Sequence, residues 1–362
     1  MTASINQYLP DYAVPPGWVI EERLAAQDIS QAEFARRCGR SAKLISEIVA
    51  GKAPIEPKTA LQFERVLGVD ASIWLGIEAD YRLRQTRENE AREADCAGVW
   101  SKTFPVAELV KRGAIREPSS NGEAVSALLA FFGVASVEAW QTKYGSANVA
   151  YRHSPSFESD KPALASWLRL AEITANQQDC ADYDAAAFKS ALGRVRGLTR
   201  VDVRKALDTA RGLCNEAGVA LSLVRPLPKA RLSGAAWWMS PRKPVIAVSA
   251  RHRTDDHLWF SFFHEAAHLL LHSKRSVFVD GGPRNDGDVE AEANEWAARF
   301  LIPQQDWRRL VATGTHGRAD VVRFAEELGV APGIVVGSLQ HAQVLPWNRC
   351  NDLKVRLRWT NE

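Results

Sequence analysis

The stretch Phe262-Phe263-His264-Glu265-Ala266-Ala267-His268-Leu269-Leu270-Leu271 decides how the C-terminal half of this chain is read. It sets the pattern H-E-x-x-H inside an apolar run of helical character. Two His four residues apart lie on one face of a helix, one turn apart, so both imidazoles can reach a single ion. Glu265 projects about a quarter-turn away and can hold a water beside that ion. Working outward, Thr254 and Asp255 are the candidate N-caps of a helix over residues 257–272. Upstream the apolar period changes from helical to strand-like. Residues 219–224, 232–239 and 244–249 read as three strands of a small sheet beside that helix.

A catalytic zinc takes three protein ligands and leaves a position for water. His264 and His268 supply two. His272 is near in sequence but lies two helical turns, about 12 Å, from His264, too far for one ion. The better third ligand stands in a second helix that follows a Gly-rich polar loop at residues 280–287. In Asp288-Val289-Glu290-Ala291-Glu292-Ala293-Asn294-Glu295-Trp296-Ala297, the residues Val289, Ala293, Trp296 and Ala297 form an apolar stripe. Glu290 borders that stripe and shares a face with Asn294, placed to orient a ligand from behind. Glu292 is expected to point to the other side.

The pair of motifs resembles the ImmA/IrrE family of metallopeptidases. The match consists of His264-Glu265-Ala266-Ala267-His268, then Glu290-x-x-Ala293-Asn294-x-x-Ala297, then Leu301-Ile302-Pro303. Trp296 stands where Phe is commoner in that family, which alters packing only. The resemblance implies zinc (Zn2+) ligands at His264, His268 and Glu290, a catalytic base at Glu265, and a supporting Asn294. An oxyanion donor is also expected; His341 and His316 are candidates that spacing does not assign. A peptide substrate is expected to add as a strand to an open sheet edge near the metal.

The N-terminal part has another logic. Residues 17–27 read as a helix. Ser30, with Glu33 three residues on, forms a capping box for the next one, which Gly39 breaks. A third helix over residues 42–50 stops at Gly51, and a fourth opens at Pro57. Short helix, tight turn, short helix is the helix-turn-helix plan, whose second helix enters the major groove. Ser30-Gln31-Ala32-Glu33-Phe34-Ala35 with Ser46-Glu47-Ile48-Val49-Ala50-Gly51-Lys52-Ala53-Pro54-Ile55 is similar to the Xre-type domain of Cro and lambda-repressor-like proteins, particularly HigA antitoxins. The resemblance implies DNA contacts at Gln31, Arg40, Ser41, Lys43 and Ser46, with further basic residues on phosphates. Acids outnumber bases over residues 1–90, so the positive charge needed for DNA must be local to the turn and recognition helix.

Composition limits the remaining classes. Hydrophobic content of 46% and charged content of 25% are those of a globular protein, and a net charge of +3 does not by itself argue for nucleic acid. The five Cys form no C-x-x-C pair, so reduced thiols are expected. No apolar run reaches the length of a membrane span, and no signal peptide is read at the start. The polar, aromatic segment 151–157, with His153, is a possible ligand contact that the sequence leaves open.

The fold class expected is mainly α with a small sheet. The expected divisions are a flexible tail (residues 1–16), an all-α helix-turn-helix domain (17–90), an all-helical middle region (91–212), an α+β zincin-like metallopeptidase domain (213–345) and a C-terminal extension (346–362) with a terminal strand over 352–359. The expected protein is a cytoplasmic, homodimeric regulator that binds a double-stranded DNA operator and cleaves a protein substrate such as a repressor. The other reading is a HigA-like antitoxin with a toxin partner, whose peptidase-like domain senses a ligand without cutting.

Overall fold

The computed structural model of the chain describes residues 14–96, 98–145, 160–272, 278–279, 287–314 and 316–359. Residues 1–13 of the expected tail, the segment 151–157 and the loop 280–286 lie outside them. The described residues fall into two compact units. One runs to Gly98 and includes Ser120–Glu123; the other takes Val99–Ser119 and the chain from Ala124 onward.

The first unit contains α1 (Pro16–Ala26), α2 (Gln31–Arg37), α3 (Ala42–Val49), α4 (Pro57–Leu67) and α5 (Ala71–Cys96). Ile20, Phe34, Ile45, Ile48, Phe63 and Trp74 close its core. Ser30 caps α2 by accepting from the Glu33 amide at 3.2 Å, and Ser41 caps α3 by accepting from the Leu44 amide at 3.2 Å. The expected capping box is only half made. The Glu33 carboxylate instead accepts from Arg36 at 2.6 Å and Arg37 at 2.9 Å, two stronger, charge-assisted partners. Gly39, with φ of 61°, closes the turn between α2 and α3.

Along the chain follow α6 (Gly98–Ser101), α7 (Val106–Lys111), α8 (Asn121–Phe132) and α9 (Val137–Trp140), then α10 (Lys161–Asn176), α11 (Ala185–Leu198) and α12 (Val203–Glu216). The sheet comprises β1 (Ala220–Leu223), β2 (Gly234–Ser240), β3 (Lys243–Val248) and β4 (Phe278–Val279) in the order β1-β3-β2-β4. β1 and β3 are parallel; the other pairs are antiparallel. Side chains alternate between two faces. Ala220, Ala235, Trp237, Val245 and Ala247 meet α10, while Leu221, Ala236, Ile246 and Val248 meet the core under α12 and α13 (Asp255–Leu271). The sheet is thus the middle of three layers. The helices expected as a separate middle region share its cores: α11 and α12 pack into the same cluster as α13.

The long helix α13 is buried on almost every side. Trp259, Phe262 and Phe263 are each 0% exposed, and full burial of such a side chain contributes roughly 1.5–3 kcal/mol. Its neighbours are β2, β3, α14 (Gly287–Leu301) and α17 (Pro332–His341). Three helices that the sequence reading does not anticipate complete the domain: α15 (Gln304–Ala312), α16 (Arg318–Leu328) and α17.

The terminal strand expected over 352–359 is not formed. The tail makes one 3-10 turn (Asn351–Leu353) and a single bridge between Arg356 and Thr254. It closes on the first turn of α13 rather than on the sheet. The Asp255 amide donates to Val355 O at 3.0 Å, and the Val355 amide donates back to Asp255 Oδ1 at 2.8 Å. Lys354 Nζ lies 2.7 Å from Asp256 Oδ2, both side chains being under 10% exposed, and also donates to Gln340 Oε1 at 2.8 Å. A Cβ on Gly337 would stand 2.7 Å from Asp256 Oδ2, so α17 crosses here only because that residue is glycine. Among the described residues no single helix is long and apolar enough to cross a membrane.

Candidate metal centre and recognition helix

Packing of α14 across α13 brings Glu290 to the two His. The His264 and His268 Nε2 atoms stand 3.0 Å apart; Glu290 Oε2 is 3.2 Å from the first and Oε1 3.4 Å from the second. The ligand atoms of the three side chains all lie within 4.8 Å of one another. Zn–N and Zn–O bonds near 2.0–2.1 Å place tetrahedral ligand atoms about 3.3 Å apart, so the trio fits such an ion. Protonation agrees. Burial pushes the His268 pKa down despite Glu290, favouring the neutral imidazole. Burial pushes the Glu290 carboxyl up, but the adjoining His264 and His268 rings outweigh it and hold it at about 2. Neutral imidazole and ionised carboxylate are the forms that bind metal.

Glu265 sits on the same turn, 0% exposed. It faces the start of β2: a Cβ on Gly234 would stand 2.6 Å from Glu265 Oε1 and 2.8 Å from its Cγ. The glycine is what lets the carboxyl lie against the strand. β4 pairs with β2 at Ala235 and Ala236, so the strand at the sheet edge on this side is β4.

His272 stays outside the trio, as its distance along the helix requires, but it is not idle. Its Nδ1 lies 2.9 Å from His268 Nδ1, and its Nε2 lies 3.3 Å from Glu292 Oε2. Glu292 was expected to face away; the crossing of α14 over the end of α13 brings it to His272 instead. A carboxylate only accepts, so His272 carries its proton on Nε2. Its bare Nδ1 then accepts from His268 Nδ1–H, leaving the His268 Nε2 lone pair directed at the trio. Spacing alone could have placed His272 one turn below His268, but not Glu292.

Asn294 makes no hydrogen bond to the trio. It is exposed and lines a cavity of about 500 Å³ that adjoins the site. The cavity is walled by Phe260, whose ring stacks on His264 at 6.3 Å, and by Leu301, Ile302, Trp307 and Ile334. His341 also lines it, whereas His316 is turned to Leu310 O at 3.1 Å.

In the first unit, Gln31, Ser41 and Lys43 are exposed at the starts of α2 and α3, and Ser46 is exposed in the middle of α3. Ser41 spends its hydroxyl on the cap, and Lys43 lies 3.8 Å from Glu47. Arg40 is differently placed: its guanidinium donates to Gln62 Oε1 at 2.6 Å and to Thr59 Oγ1 at 3.0 Å, tying the turn to α4.

Two classes of module are thereby defined, a small helical bundle with a turn-linked helix pair and a three-layer domain with a H-E-x-x-H metal trio. Comparison with known proteins agrees with both. Residues 20–74 match the helix-turn-helix family, and residues 218–339 match the IrrE N-terminal-like domain of the M78 peptidases. The chain is also similar to the uncharacterized HTH-type transcriptional regulator YddM of Escherichia coli (strain K12), 29% identical over 73 residues, which is 20% of this chain and 78% of that protein. The chain therefore carries an Xre-type helix-turn-helix domain near its N-terminus and an IrrE/ImmA-like M78 domain in its C-terminal half.

Proposed function

We propose that this chain is a cytoplasmic, DNA-binding regulator whose M78 domain hydrolyses peptide bonds with zinc held by His264, His268 and Glu290. The observation that carries this reading is the convergence of two imidazole nitrogens and an ionised carboxylate beside a buried Glu265. When bound, zinc supplies a charge that lowers the pKa of a water towards about 7 and polarises a carbonyl. Glu265 takes the proton of the attacking water and passes it to the leaving amide nitrogen. His272 and Glu292 hold the His268 ring in its ligand tautomer. The adjoining cavity, walled by Phe260, Leu301, Ile302, Trp307 and Ile334, receives substrate side chains next to the scissile bond.

The substrate proposed is a regulatory protein such as a repressor. Operator binding is proposed for Gln31, Ser41, Lys43 and Ser46, with Arg40 positioning the turn, in a homodimer that reads paired half-sites. The designation of the Escherichia coli relative as a transcriptional regulator supports this half of the reading. A toxin partner is the alternative for a chain that senses without cutting.

Glu265→Gln tests the chemistry. The variant should retain zinc and lose cleavage by about 10²–10⁴-fold, the usual contribution of a positioned proton acceptor. If derepression in cells survives Glu265→Gln but not His264→Ala, the domain senses through its metal and does not act by cutting.

A further inference from the structure

A second cavity, of about 840 Å³, lies at the amino-terminal end of α13, where Asp255 and Leu258 line it. It opens where the parallel strands β1 and β3 end: Leu223 is the last residue of β1, and Ala250 follows β3 by two residues. Crevices beyond the carboxyl ends of parallel strands are where open α/β sheets take their ligands. The size is within the roughly 300–1,000 Å³ of small-molecule sites.

The lining has two characters. Leu207, Leu223, Leu258, Val330, Leu353 and Leu357 supply an apolar surface. Arg200, Arg204, Arg211, Arg356 and Arg358 supply cationic groups. Arg211 is paired with Asp208 at 3.2 Å; among the described residues the other four arginines make no ion pair. Asp202, Asp208, Asp255 and Glu326 line it too, so five arginines stand with four acids. Asp202 is engaged in capping α12 through the Arg204 and Lys205 amides, and Asp255 accepts from the Val355 amide. Four arginines that make no ion pair among the described residues, set beside a leucine-rich wall, are complementary to a molecule with an anionic head and an apolar body.

We propose that this cavity binds a small amphipathic anion, its carboxylate or phosphate head on the arginines and its apolar body on the leucines. The ligand would touch both the tail and the first turn of α13, joining the two sides of the contact described above. The proposal does not depend on zinc or on peptidase activity.

The test uses the full chain with anilinonaphthalene sulfonate as a fluorescent probe, displaced in turn by decanoate, decyl phosphate and decyltrimethylammonium. Displacement by either anion but not by the cation is expected, with a rise in Tm of a few degrees at saturation. The tighter of the two anions tells a carboxylate ligand from a phosphorylated one. Arg204→Ala combined with Arg356→Ala, and separately Leu357→Trp, should each weaken displacement by about tenfold or more. Equal displacement by the cationic amphiphile, or unchanged binding in both variants, overturns the proposal. So does stronger displacement by an oligoglutamate peptide, which would assign the cavity to an acidic protein segment. The comparison of anion with cation is made on the unaltered chain, so it stands even if a variant folds poorly.

Discussion

Glu290 reaches His264 and His268 across the packing of two helices, and His268 is supported in turn by His272. His272 and Glu292 are expected to act through His268. Because partners behind a metal-ligating His typically change metal affinity by 10–100-fold, His272→Ala or Glu292→Gln should weaken zinc binding within that range in competition with a chelating dye. Unchanged affinity would show that the His268 tautomer is set elsewhere. Asp255 gives a pH signature. Burial pushes its pKa up to about 6, against the pull of the Val355 amide. The folded state therefore holds this proton through a pH range in which the unfolded chain has released it. The resulting stability is full below about pH 4 and is lost as pH rises through 6. In urea unfolding, Asp255→Asn should remove a decline of order 3 kcal/mol between pH 4 and 7; an identical decline in the variant would refute the assignment. These residue-level features were unevenly legible. The i, i+4 spacing of His264 and His268 and the stripe beside Glu290 follow from helical period alone. The Glu292 contact depends on how α14 crosses α13, which one helix's spacing cannot specify.

At the scale of elements, periodicity served best where a helix has one wet and one buried face, and continuous apolar runs served where a strand is buried on both. Ser30 and Ser41 marked the starts of α2 and α3 through side-chain chemistry that the structure retains. The three strands were read within a residue or two, since residues on both faces are buried and apolar. The alternation over residues 352–359 misled because those residues pack against the end of a helix, not a sheet. Helices α15 to α17 went unread although α17 carries Gly337 and Gln340, which hold the tail's contact with α13. That contact centres on the buried pair of Lys354 and Asp256. Lys354→Met leaves a buried carboxylate without its cation and should cost about 3–5 kcal/mol. Pairing it with Asp256→Leu should recover much of the loss, as measured by chemical denaturation. If the single change costs no more than the double, the pair is not what fastens the tail.

For the whole molecule, two modules in one chain suggest that DNA recognition determines where peptidase chemistry is delivered. On this account Lys43 meets a phosphate and Ser46 a base edge or phosphate. Lys43→Ala should weaken operator binding and lower the salt dependence by about one unit of slope, and Ser46→Ala should weaken binding in the same footprint. No change from either would remove α3 from the interface. The central claim, however, concerns the trio and Glu265. Its most direct test is to load the unaltered chain and Glu265→Gln with zinc, verify equal metal content, and expose both to a proteome-derived peptide library analysed by mass spectrometry. The account predicts zinc-dependent cuts from the unaltered chain and none from the variant. The same cuts from both proteins, or none from either, would contradict it.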